Sequence, residues 1–276
     1  MTMKFALICF LCLFNAILCS IYTACSKEGQ IAFTFDQGPS YYTGNLLNTL
    51  KKHSIKASFH VTTDYLDNPV IMAYIRNAAR DGHLIGLFIK HNNFTAADIL
   101  SHLDHQNNKL QKQVGFKLTF LRFPNPGPSK EVLEKVSNAG YSVTSYNLDS
   151  QDYMYGNSTG DEIFQVIKSN LDLIVPPAKG SFICVQRDIL EPSVKQSDMI
   201  IEYAKKKGYT AVRLDECIGK QQLTPGGGGG IGDSIPSDPT GILDEPSKPQ
   251  KGHASQVDLC LFYQISIWLI SIFLFQ

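Results

Sequence analysis

The sequence predicts an α/β fold, a distorted (β/α) barrel of about seven parallel strands, within residues 25–222. Three observations predict it. Seven short apolar runs alternate with six longer amphipathic ones, which is the pattern of repeated βαβ units. Polar residues recur where the short runs end, the face on which such barrels carry function. The segment spans about 195 residues, enough for one compact barrel. A doubly wound open sheet is the alternative, since the alternation is common to both.

The strands are expected at 30–36, 57–62, 84–89, 119–122, 141–146, 181–186 and 209–212. The helices between them are expected at 42–53, 69–80, 96–114, 130–138, 161–170 and 194–207. Local signals support these boundaries. Asn68 stands before Pro69, a favoured cap and first-turn pair. Thr95 with Asp98 resembles a capping box, and Gly140 and Gly208 follow helix ends. No internal repeat accompanies the alternation.

The ends of the chain are of another kind. In residues 1–20, Lys4 precedes an apolar run from Phe5 to Cys19, interrupted by Asn15, which reads as a secretory signal peptide. Residues 223–258 include Gly226–Gly230 and five of the 13 prolines, too little apolar surface to fold, and read as a flexible stalk. Residues 259–276 carry no charge and follow Gly252, Ala254 and Ser255, the order expected of a GPI-type attachment signal. The acceptor is expected near Ser247 by spacing, or at 252–255 by residue size. A transmembrane anchor is the alternative; either places the protein on the outer face of a membrane.

Charge excludes one class of partner. With 25 basic and 25 acidic residues the chain has no net charge, and nothing favours nucleic acid. Setting aside Lys4, Lys248, Lys251, Asp233, Asp238, Asp244, Glu245 and Asp258, the folding segment keeps 22 bases against 20 acids. Four of the seven cysteines lie in the ends, leaving Cys25, Cys184 and Cys217. Cys25 and Cys217 stand at the two limits of the folding segment, where a disulfide would close it in an oxidising compartment. Cys184, inside the apolar run Phe182–Val185, is expected as a buried free thiol. Asn93 and Asn157 open N-glycosylation triplets.

The polar residues at the expected strand ends are Asp36 and Gln37, His91 and Asn92, Arg122, Asp149 and Asp152, and Arg187 and Asp188. Here the chain resembles the polysaccharide deacetylases that include chitin deacetylases, carbohydrate esterase family four with the NodB homology domain. Thr34-Phe35-Asp36-Gln37-Gly38-Pro39 resembles the first family motif, Gly82-His83-Leu84-Ile85-Gly86 the approach to the second, and Leu121-Arg122-Phe123-Pro124 the third. Asp149–Tyr153 resembles the fourth, Phe182–Asp188 the fifth, and Glu216–Gly219 the end of fungal members, which supports the Cys25–Cys217 bridge.

The resemblance implies a hydrolase that removes acetyl groups from N-acetylglucosamine polymers, such as chitin, with zinc or another divalent metal. It implies Asp36 as the base, Arg122 holding that base, and an aspartate of Asp149/Asp152 orienting the acid. The remaining positions depart from the family. The ligand carboxylate is Gln37, and the two ligand histidines fall on Phe88 and Asn92, or on Leu87 and His91 if one residue is missing. His91 is a weak candidate by itself, because a zinc site normally takes three protein ligands. The acid position holds Arg187, which stays protonated at neutral pH, and the Tyr after the third-motif proline is Asn125.

No cofactor is therefore expected. The chain is expected to be an inactive deacetylase-like protein in which Arg122 and Arg187 neutralise Asp36 and the Asp149/Asp152 pair. It would still bind glycan, with Tyr42, Phe94, Tyr153 and Tyr155 as candidate stacking rings, or act as a structural wall component. An active deacetylase with a rebuilt site is the alternative.

Overall fold

The computed structural model describes residues 20–156, 159–174, 176 and 178–222. Residues 1–19 of the expected signal peptide, the stalk, the C-terminal signal and Asn157 lie outside the described residues. The strands are β1 (Gln30–Asp36), β2 (Ser58–Val61), β3 (Leu84–Phe88), β4 (Phe120–Arg122), β5 (Ser142–Thr144), β6 (Leu148–Asp149), β7 (Phe182–Arg187) and β8 (Thr210–Ala211). The helices are α1 (Thr43–Lys52), α2 (Pro69–Arg80), α3 (Ile99–Val114), α4 (Lys130–Asn138), α5 (Asp161–Asp172), α6 (Glu191–Lys206) and the short α7 (Leu214–Ile218).

All pairings are parallel, in the order β5-β4-β3-β2-β1-β7-β6, with β8 against the start of β1. Read cyclically, this order never reverses direction, so the sheet is a singly wound barrel with a seam between β5 and β6. A doubly wound sheet would reverse its order at a switch point. Tyr22 lines the seam: it bridges to Thr144 and donates its N–H to the Val143 carbonyl at 3.0 Å.

The strands are buried along nearly their whole length, as parallel strands covered by helices must be. Phe33, Phe35, Phe59, Leu87, Leu121 and Val143 pack outward beneath the helices. Ala32, Leu84, Phe120, Ile183, Val212 and Leu214 form a second cluster with the Cys25–Cys217 disulfide. Cys184 is a buried free thiol.

Boundaries follow local chemistry. Asn68 caps α2, its Oδ1 accepting the Val70 and Ile71 N–H groups at 3.1 Å. Three expectations need correction. Helix α3 starts at Ile99, not Ala96, because Thr95 and Asp98 close a turn ahead of it: Asp98 Oδ1 accepts the Thr95 N–H at 2.8 Å. Helix α6 starts at Glu191, not Val194, since Pro192 fits the first turn, where its missing N–H costs nothing. The strand expected at 141–146 is confined to β5, Ser142–Thr144, and a further strand, β6, follows at Leu148–Asp149 on the opposite edge of the sheet. The chain leaves β5 at Ser145, whose N–H donates to the Tyr22 carbonyl at 2.7 Å.

Candidate active site and its buried ion pairs

Register brings the site together. Asp36, the last residue of β1, stands opposite His60 of β2 and Arg187 of β7. Arg122, the last residue of β4, stands opposite Phe88 of β3 and Thr144 of β5. Thr34, Asp36, His60, Arg122 and Thr144 are all buried, and the bonds below join them inside the barrel. Gly86 makes room for the imidazole: a Cβ there would lie 3.0 Å from His60 Cδ2 and 2.8 Å from the Phe120 carbonyl oxygen.

Both oxygens of Asp36 are engaged. Oδ1 faces His60 Nδ1 at 3.0 Å, and Oδ2 faces Arg122 Nη1 at 3.4 Å. An ionised carboxylate only accepts, so His60 carries its proton on Nδ1. Its Nε2 then faces the Thr144 hydroxyl at 3.2 Å. Arg122 also reaches Thr34 and Thr144, each at 3.4 Å, and its guanidinium lies 5.6 Å from the centre of the Tyr146 ring. Burial alone would raise the Asp36 carboxyl; the charge of Arg122 and the bond to His60 outweigh it and hold it below the usual range. Burial and the nearby Arg122 push His60 down, so the imidazole is neutral.

A second pair closes the other side. Arg187 Nη1 lies 2.5 Å from Asp152 Oδ1, while Asp152 Oδ2 accepts the Arg187 N–H at 2.6 Å and the Ser193 hydroxyl at 2.7 Å. The Tyr153 ring covers the guanidinium at 4.7 Å. Asp149 sits apart from this pair. It ends β6, beside β7 and not at the end of β5, and its Oδ1 accepts the Gln151 N–H at 2.9 Å. Burial raises its carboxyl above the usual range, and among the described residues it takes no ion pair. Arg187 therefore pairs directly with Asp152 only, and at Asp149 its charge offsets part of the effect of burial without outweighing it.

Asp188, next in chain to Arg187, is buried under the β1–α1 loop. Its Oδ2 accepts the Thr43 hydroxyl at 2.6 Å, and burial pushes its carboxyl up to about 7. Gly38 allows this approach, since a Cβ there would fall 2.1 Å from Asp188 Oδ1.

The residues at the metal positions do not fit a divalent cation. Gln37 offers an amide in place of a carboxylate, Phe88 offers no donor atom, and Asn92, held by its N–H to the Pro124 carbonyl at 2.9 Å, offers one uncharged amide oxygen in place of an imidazole. His91 is exposed, with its ring stacked on Phe94 at 4.5 Å and 6.4 Å from the His102 ring. Among the described residues no group of three His, Cys, Asp or Glu side chains is placed to hold a metal. Asn125, at the family's tyrosine position, donates to the Tyr146 hydroxyl at 2.8 Å.

Sequence reasoning missed His60. The signal was there, a histidine inside the apolar run Ser58-Phe59-His60-Val61, but a strand buried on both faces has no alternation to show which way it points. Of the candidate rings, Phe94 is occupied by His91 and His102, and Tyr153 by Arg187. Asn93 is exposed, as a glycosylation site requires.

A family model described as polysaccharide deacetylase matches residues 23–144. The chain is 29% identical over 203 residues to a chitin deacetylase from Colletotrichum lindemuthianum, covering 71% of this chain and 82% of that protein. It is 28% identical over 191 residues to a peptidoglycan-N-acetylglucosamine deacetylase of Bacillus cereus, covering 66% and 68%. The solved structure of the Colletotrichum enzyme superposes with a TM-score of 0.67 at 26% identity, over 74% of this chain and 93% of that one. The fold is also that of a Bacillus anthracis protein described as a CE4 family pseudoenzyme, with TM-score 0.61, 16% identity, and 71% and 68% coverage. Barrel order, motif positions and these likenesses agree: the chain has a NodB-type (β/α) barrel and is similar to the polysaccharide deacetylases, whose family model it matches over residues 23–144.

Proposed function

We propose that this protein is a catalytically inactive member of the polysaccharide deacetylase family, displayed at the cell surface, that binds N-acetylglucosamine polymers without hydrolysing them. One observation carries the loss of activity: Asp36, at the base position, is buried, and the oxygen that Arg122 does not hold is taken by neutral His60. A base must be free to take a proton from the attacking water. The acid position holds Arg187, which is committed to Asp152 and does not donate a proton at neutral pH. Gln37, Phe88 and Asn92 supply neither carboxylate nor imidazole, so no step through a metal follows.

Arg122 and Arg187 keep the centre neutral in place of the cation that relatives' chemistry implies, and the old site becomes a buried ion-pair core. The leader-like residues 1–20 and the uncharged residues 259–276 support export and a lipid anchor. The names of the relatives, a chitin deacetylase and a peptidoglycan deacetylase, support an N-acetylglucosamine polymer as the ligand.

The test pairs zinc content of the purified protein with acetate release from chito-oligosaccharides. Zinc far below one ion per chain and no acetate release are expected. Stoichiometric zinc with acetate release overturns the proposal. Export and anchoring are tested separately, by release of the protein from intact cells with a phosphatidylinositol-specific phospholipase.

A further inference from the structure

Two exposed tyrosines stand on the rim beside Asp36, on loops that leave adjacent strands. Tyr41 lies between β1 and α1 and is 50% exposed; Tyr65 lies between β2 and α2 and is 39% exposed. Neither takes part in the buried ion-pair core. One residue, Asn68, links them. Its side-chain amide donates to the Tyr41 hydroxyl at 3.2 Å, and its backbone N–H donates to the Tyr65 carbonyl at 2.9 Å. Asn68 is itself held, because its Oδ1 caps α2 through the Val70 and Ile71 N–H groups. Val70, 55% exposed, extends the apolar surface.

The Tyr41 ring, tied by its hydroxyl to a capped helix start, has given up part of its rotamer freedom before any ligand arrives, and the Tyr65 backbone is fixed at the same helix start, which lowers the cost of ordering the pair on binding. The charges nearby point to an uncharged ligand. Lys90 is paired with Asp64, and Asp67 is an exposed carboxylate that would repel an anion. A β-1,4-linked N-acetylglucosamine chain is uncharged, and its pyranose rings present C–H faces flanked by hydroxyl and amide groups. It can stack on tyrosine faces and hydrogen-bond to their hydroxyls.

We propose that Tyr41 and Tyr65 form a sugar-stacking platform that seats the N-acetylglucosamine chain at the rim of the closed-down site. This rests on the glycan-binding reading above. It assigns the binding to a surface outside the motif residues, so that affinity outlives the loss of catalysis.

The experiment is calorimetric titration of the full chain, solubilised in detergent, with N-acetylchitohexaose. Tyr41→Ala and Tyr65→Ala are each expected to weaken binding about tenfold. Tyr41→Phe, which keeps the ring, is expected to stay within about threefold of the original. Thermal melts check that the variants fold, which half-exposed positions permit. If the unaltered chain binds and both folded alanine variants bind equally well, the platform is overturned and the glycan-binding reading stands. If the unaltered chain does not bind, both fall.

Discussion

Asp36 and His60 are 24 residues apart in sequence, yet their side chains meet at 3.0 Å inside the barrel, carboxylate to imidazole. Adjacent parallel strands in register put them side by side, and Gly86 on the next strand leaves the space. With Arg122 on the other oxygen, the carboxylate exchanges solvent for two fixed partners. That exchange makes the carboxylate part of the core.

The first prediction concerns Arg122, which is fully buried. Arg122→Ala leaves Asp36 ionised in the interior with one neutral partner. Removing one member of a buried pair typically costs about 3–5 kcal/mol. Denaturant titration should show that loss. A change below about 1 kcal/mol would mean that Asp36 takes up a proton and does not need the pair.

Arg187→Ala should cost less, about 3 kcal/mol, at the lower end of the same range. Asp152 keeps the Ser193 hydroxyl and the backbone N–H of residue 187 after the guanidinium is gone. Equal losses in Arg122→Ala and Arg187→Ala, measured in parallel titrations, would contradict this ranking.

The pH dependence of stability has two opposing parts. Burial pushes His60 down and His83 down to about 4, so the fold keeps both neutral where the unfolded chain protonates them below about 6.5. The unfolded state then binds more protons, and stability falls as pH drops through that window. Asp188 has the opposite sign. Its carboxyl, raised to about 7, stays protonated in the fold while the unfolded chain releases the proton above about 4. Its contribution is present at low pH and lost as pH rises toward 7. Asp188→Asn should therefore melt near the unaltered protein at pH 4.5 and at least about 2–4 °C above it at pH 8. Equal melting temperatures at both pH values would refute the assignment.

Reducing the Cys25–Cys217 bond should also destabilise the barrel. The bond closes a sequence separation of 192 and ties the start of the fold to α7. Long closed loops restrict the unfolded chain most, and a loss of about 2–4 kcal/mol is expected for Cys25→Ser with Cys217→Ser. Melts of the double variant, with the unaltered protein under reductant beside it, measure this.

Much of the site was legible from sequence because it was written in residue type. That Gln37 is an amide, Phe88 a phenyl ring and Arg187 a guanidinium is fixed before any folding, and the motif resemblance alone proposes the positions they fill. The strands and helices were legible for a similar reason: alternating apolar runs and amphipathic stretches are local patterns, and the ends of α2 and α4 are marked by Asn68 and Gly140. The short strand β6 after β5 was not, since a two-residue strand leaves no apolar pattern to read.

By itself the sequence determined the alternation, the motif resemblance, and the residue types at Gln37, Phe88, Asn92 and Arg187 on which the proposal of lost activity rests. Only the tertiary structure decided that the barrel is singly wound with its seam at β5 and β6, and that His60 shares Asp36 with Arg122. It also decided that Asp149 stays apart while Asp152 takes Arg187. These outcomes depend on strand register and on which face of a fully buried strand turns inward. Both are set by packing between distant segments, and a one-dimensional pattern of apolar residues does not encode them.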